Sequence, residues 1–172
     1  MSEAAQQRFH HLLVDCIPRL RRYARALVFD QGAADDLVQD TLEQAWRKWR
    51  QWREDRDLRP WLFGIMHRLH IDDFRRYGAR RQPLSEDMAE LTVDAPQERG
   101  LALRELAANL ARLPEEQRAV LLLLALEDMS YQQIAAALDI PLGTVMSRLS
   151  RGRERLRGLM EAGAAPAVGG GV

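Results

Sequence analysis

The chain reads as an all-α protein, with two small helical domains joined by a flexible linker and a helix-turn-helix in the second. Three observations carry this reading. Apolar residues recur at three- and four-residue spacings nearly throughout. The alternating runs and Asn-Gly turns that announce strands and hairpins are missing. The helical period lapses between about Gly78 and Gln97, where prolines gather and acids outnumber bases. At 172 residues and 47% hydrophobic content, the chain has enough apolar material for one compact domain or two small ones.

A first helix is expected from about Ala4 to Phe29, with Pro18 kinking or restarting it because proline lacks the helix donor and clashes with the turn before it. Gly32 then marks a break. The second helix should run from about Ala34 to Trp49, with Asp35 and Asp36 complementing the dipole at its start. Its inner face would carry Leu37, Val38, Thr41, Leu42, Ala45, Trp46 and Trp49. Pro60 suits the first turn of a third helix, striped by Leu58, Trp61, Leu62, Ile65, Met66 and Leu69 and continuing to about Tyr77. Residues 1–78 thus form a first domain, 79–97 a linker, 98–161 a second domain and 162–172 a disordered tail. Within the second domain the period predicts helices over Glu98–Ala111, Pro114–Glu127, Ser130–Leu138 and Thr144–Glu161.

Lys plus Arg equals Asp plus Glu at 25 each, giving a formal charge of zero, whereas a freely acting nucleic-acid binder is usually basic. The total conceals a local excess. Between Val145 and Arg157 stand Arg148, Arg151, Arg153, Arg155 and Arg157 against Glu154 alone. The lone Cys16 rules out an internal disulfide framework and falls within the apolar series Phe9, Leu12, Leu13, Cys16, Leu20, as a small core residue would. No apolar run approaches the roughly 18 residues of a membrane helix, and the start MSEAAQQRFHH lacks a signal-peptide layout, so a cytoplasmic protein with no membrane insertion of its own is expected. His67 and His70 share a helical i,i+3 spacing, and His10 and His11 are adjacent, but no third ligand at metal spacing, phosphate loop or nucleophile motif accompanies them. Neither catalysis, a metal nor a cofactor is expected.

The segment from Ser130 to Arg151 has the layout of a helix-turn-helix. Ser130 is a plausible N-cap, Ile134, Ala135 and Leu138 face inward, Gly143 frees the turn and Thr144 can cap the second helix. Val145 and Leu149 then pack against the first helix, leaving Met146, Ser147, Arg148, Ser150 and Arg151 near the end that would enter a major groove. An arginine there can bind guanine bidentately or neutralise phosphate. A helix-turn-helix alone identifies only DNA binding, so a self-sufficient regulator stays open at this point.

The sequence Asp36-Leu-Val-Gln-Asp-Thr-Leu-Glu-Gln-Ala-Trp46, followed by Leu58-Arg-Pro-Trp-Leu-Phe-Gly-Ile65, resembles the second conserved region of extracytoplasmic-function (ECF) bacterial sigma factors. Pro114-Glu-Glu-Gln-Arg-Ala-Val-Leu-Leu-Leu123 and Gly143-Thr-Val-Met-Ser-Arg-Leu-Ser-Arg-Gly-Arg153 resemble their fourth region, and the likeness spans about residues 9 to 160 in the right order. It implies an alternative sigma factor that directs promoter recognition and transcription initiation. The expected partners are the clamp and flap of core RNA polymerase, promoter DNA and an anti-sigma factor. Asp36, Gln39, Asp40 and Glu43 would meet the polymerase clamp; a polar helix face taken alone is more often simply solvated. The loop from Arg50 to Asp57 and the helix after it are similar to the minus-ten reading element, which assigns Trp52, Arg53, Arg56, His67, Arg68, Arg75 and Arg76 to unpaired strand, with Arg80 and Arg81 beyond. Trp52 would be either a stacking face for an extruded base or a capping core residue. Thr144, Met146, Ser147, Arg148, Ser150, Arg151 and Arg153 would take the minus-thirty-five element. Family members often carry Asn where Arg68 stands and Lys or Arg where Met146 stands. A sigma mimic that sequesters an anti-sigma factor is the further alternative, and such mimics carry a receiver domain, for which this chain shows no sequence.

Overall fold

Seven α-helices follow one another in the computed structural model, which describes residues 3–77 and 97–164. Gln97, the last residue of the expected linker, is already helical; the rest of that linker and most of the expected tail lie outside them. Helix α1 (Glu3–Val28) buries Phe9, Leu13, Cys16, Leu20, Tyr23, Ala24 and Leu27, a stripe spaced by threes and fours. It runs through Pro18 without a restart. The proline sits on the exposed face beside exposed Val14, whose freed carbonyl has water available to it. Phe29 then adopts the left-handed conformation (φ 55°), its amide donating to the Arg25 carbonyl at 3.1 Å.

Helix α2 (Gln31–Arg47) begins three residues earlier than the periodicity suggests, because Asp30 caps it by accepting from the Ala33 amide at 2.7 Å. Gly32 is therefore inside the first turn and is not a break. Thr41, fully buried, donates its hydroxyl to the Leu37 carbonyl at 2.7 Å, which removes the penalty of an unmade hydrogen bond. A 3₁₀ turn (Trp49–Gln51) leads into the loop before α3 (Leu58–Tyr77). Tryptophan placement differs from the expected stripe: Trp46 is 42% exposed, Trp49 and Trp61 are half-buried, and Trp52 is buried.

In the second half, α4 (Gln97–Ala111), α5 (Glu115–Glu127), α6 (Tyr131–Leu138) and α7 (Leu142–Ala164) follow the predicted order. Ser130 caps α6 as expected and forms a full capping box with Gln133. The turn between α6 and α7 is made differently. Asp139, at φ 53°, is the left-handed residue, while Gly143 lies inside the first turn of α7 with ordinary helical φ. Thr144 is accordingly within the helix and not its cap, and its carbonyl accepts from the Ser147 hydroxyl at 3.2 Å.

The two halves share one core. Buried side chains from Phe9 to Met66 and from Ala119 to Leu149 form a single apolar cluster, with α3 packed on α6 and α1 on α5. Tyr23 and Phe63 meet edge to face at 5.0 Å within it. Charged contacts surround this junction. Arg118 donates to the Leu110 and Ala111 carbonyls that end α4 and to that of Leu113 just after it, and lies 5.0 Å over the Phe29 ring. His70 of α3 meets the Glu115 carboxylate of α5.

Candidate polymerase and nucleic-acid interface

Helical spacing brings Asp36, Gln39, Asp40 and Glu43 to one exposed face of α2. The cation on this face, Arg47, is engaged by Glu43. Partial burial raises the Asp40 carboxyl above its usual pKa, and the carboxylates of Asp73, Glu43 and Asp36 push it further. Asp73 comes from α3 and was not among the residues singled out from sequence; the Asp72-Asp73 pair on an otherwise apolar-striped helix was its signal. A surface whose acids repel one another suits a cationic partner, since each such contact relieves a strain present in the free chain.

The loop after α2 places Trp52 differently from a presented stacking face. It is 8% exposed, its ring 5.8 Å from that of Phe9, and its indole nitrogen has no hydrogen-bond partner. One edge lines an open cleft with Trp61, Arg53 and Arg56, closed on the far side by Gln132, Gln133 and Ala136 of α6. Arg53 is held by Asp55 through two bonds of 3.0 and 2.8 Å, whereas Arg56 is exposed.

On α3, Arg68, Arg75 and Arg76 are exposed, as strand contacts require. His67 is a correction to the expected basic stretch. Burial, then the cations Arg148 and Arg68, push its pKa down to about 4, so it is neutral at physiological pH and offers phosphate no charge. Its Nδ1 is buried without a partner at the junction of the halves.

Along α7, Met146, Ser147, Ser150, Arg151 and Arg153 are exposed, and Thr144 is half-buried. Arg148 is turned partly inward, 3.5 Å from the Glu116 carboxylate, with its side chain 23% exposed. Arg151 is therefore the more available cation of the pair.

A group invisible to motif reading lies at the α1–α5 contact. The Glu127 side chain is fully buried, and its two oxygens accept from Arg22 at 3.1 Å and Arg19 at 3.3 Å. Its backbone carbonyl accepts from Arg59 at 3.1 Å, and Arg22 also donates to the Leu126 carbonyl at 2.7 Å. An acid ending the run Ala119–Leu126 was the signal for it.

Two family models match, the Sigma2 domain of PhyR over residues 13–67 and Sigma-70 region 4 over residues 103–156. The chain is 32% identical to the ECF RNA polymerase sigma factor EcfG of Rhodopseudomonas palustris, over 86% of this chain and 82% of that one. Among solved structures it is similar to the sigma factor RpoE of Bartonella quintana in complex with the anti-sigma factor NepR, at TM-score 0.77 and 30% identity, covering 90% of this chain and 98% of that one. It is also similar to CnrH in complex with the cytosolic domain of CnrY, at TM-score 0.68 and 28% identity, covering 91% and 90%. Both halves match together and in order, and the chain belongs to the ECF family of RNA polymerase sigma factors.

Proposed function

We propose that the chain lends promoter specificity to core RNA polymerase, its first half docking on the enzyme and taking the opened minus-ten strand while its second half reads the minus-thirty-five duplex. The observation that carries this is the pairing, in one chain, of an exposed acidic face on α2 with a basic, solvent-facing helix after a capped helix-turn-helix. Polymerase supplies the chemistry of strand synthesis. Core contacts are assigned to Asp36, Gln39, Asp40 and Glu43. Arg53, Arg56, Arg68, Arg75 and Arg76 follow the unpaired strand. Met146, Ser147, Ser150 and Arg151 face the major groove, with Arg153 on phosphate and Arg148 available once it leaves Glu116. Trp52 serves from beneath, bracing the loop against Phe9. An anti-sigma factor holds the protein inactive, a role supported by the complexes of RpoE with NepR and of CnrH with CnrY. The place of action is the cytoplasm, where polymerase works; among the described residues no helix is long and apolar enough to cross a membrane.

Run-off transcription with purified core polymerase and a pool of promoters tests the reading. A shared pair of elements among the transcribed templates, dependent on this chain, is the expected result. Tight sequence-specific duplex binding by the isolated chain, with no effect on core polymerase, would establish a self-sufficient regulator instead.

A further inference from the structure

Resting on that reading and deepening it, we propose that Leu142 and Met146 form a thymine-reading edge on α7, which takes the C5-methyl groups of A·T pairs in the minus-thirty-five element.

The rotation of α7 is fixed by Val145 and Leu149, which are 0% and 1% exposed and point back into the core. What remains outward divides into two rows. At about 100° of turn per residue, Leu142, Met146, Ser150 and Arg153 fall along one side of the exposed arc. Thr144, Arg148, Arg151 and Arg155 fall along the other. Gly143 and Ser147 lie between the rows and are small enough to let the helix sink into a groove.

The rows differ in chemistry. The second carries cations suited to guanine or phosphate. The first opens with two large apolar side chains, Leu142 at 40% and Met146 at 53% exposure. Single exposed apolar residues are ordinary on a protein surface. These two stand one turn apart at the start of the helix, the end from which a recognition helix meets base edges, and their row borders the arginine row on the same face. Arg148, the cation nearest that end, is drawn towards Glu116 at 3.5 Å, so the leading turns present Leu142 and Met146 ahead of Arg151.

That chemistry selects the base. Neither side chain can donate a hydrogen bond, and the feature that the major groove offers to apolar contact is the thymine methyl. Over guanine, the same two residues would strip water from O6 and N7 and bond neither acceptor. The unbranched thioether of Met146 can also adjust to the exact methyl position. Four residues advance a helix by about 6 Å, and base pairs rise by about 3.4 Å, so the methyls belong to adjacent pairs or to pairs one apart.

The test uses holoenzyme assembled from the full chain and core polymerase, on a promoter selected by run-off transcription. Each thymine of its minus-thirty-five element, on either strand, is replaced singly by uracil, which lacks the C5-methyl and keeps every hydrogen-bonding group. Wild type should bind about fourfold more weakly at one or two neighbouring positions, the worth of one buried methyl-sized group. The penalty should vanish in the Leu142→Ala, Met146→Ala pair and persist in Arg151→Ala. If the pair loses helical content, Met146→Gln, of similar length, takes its place. Indifference of wild type to uracil everywhere, a penalty that survives in the pair, or a selected element with no A·T pair overturns the proposal and leaves the sigma reading standing. Failure of the chain to support transcription from any promoter sinks the sigma reading, and the thymine-reading edge with it.

Discussion

Asp40 carries its charge at some expense in the free chain, because burial and the neighbouring carboxylates of Asp73, Glu43 and Asp36 raise its pKa. The folded chain thus binds that proton more tightly than the unfolded chain, and the contribution of Asp40 to stability falls as pH rises from about 4 towards neutrality. Asp40→Asn should remove this dependence. Its melting temperature should match or exceed that of wild type at pH 7, the gap closing at low pH, while its affinity for core polymerase falls; equal affinity would take Asp40 out of the contact. His67 works in the opposite sense. Its pKa, pushed down to about 4 from an ordinary value near 6.5, leaves the unfolded chain as the better proton acceptor. Stability from this group is therefore present above about pH 6.5 and drains away as pH falls towards 4, and His67→Gln should flatten that limb of a melting profile. Arg151 poses a question of kind. If it reads guanine, Arg151→Ala should lose roughly 1 to 3 kcal/mol at one base pair. If it holds phosphate, all promoters should weaken alike and the salt slope should drop by about one unit. Holoenzyme binding to a set of single-base promoter variants at several salt concentrations separates the two.

Individual elements show why some of this was legible and some was not. Ser130 could be found because capping is local, a polar residue immediately ahead of an apolar series, and it does cap α6. Replacing it with alanine should remove about 1 kcal/mol of stability and weaken minus-thirty-five recognition, leaving core binding by α2 untouched; a melting curve beside the two binding assays checks this. The same reasoning missed Asp30, because Gly32 supplied a louder break signal just inside the helix that Asp30 begins. The tryptophans show how far periodicity reaches. Trp46 falls near the apolar stripe of α2, but Ala34, Leu37, Val38, Thr41 and Ala45 already fill the buried arc, and Trp46 is left at its edge over His10. Trp52 follows a 3₁₀ turn, where no period exists to read, and only the structure shows it against Phe9. Truncating a buried aromatic of this kind removes on the order of 3 kcal/mol or more, so Trp52→Ala should lower the melting temperature by many degrees before any effect on strand capture is measured.

For the whole molecule, the helical order and the two modules could be read from the sequence because each rests on neighbours a few residues apart. Their mutual packing could not. The contacts that make it, Gly64 on Ala137 and Glu127 with Arg19 and Arg22, join residues more than seventy positions apart and leave no periodic trace. A single core running through both halves should melt as one cooperative unit. Calorimetry of wild type should accordingly show one transition, and Gly64→Ala should broaden or split it; two well-separated wild-type transitions would mean that the halves unfold independently.

Cys16, the lone cysteine, sits in that core and turns its position into chemical reactivity. Burial raises its thiol pKa, Asp57 and Glu127 add to the rise, and Arg19 and Arg59 oppose it, so the groups that join the halves surround the sulfur as well. A thiol that is 8% exposed and disfavoured as thiolate should be alkylated slowly while the fold stays shut. The protein thus carries a native clock: the rate at which a small alkylating reagent consumes its one thiol reports how often the surroundings of Cys16 come apart, with no label introduced.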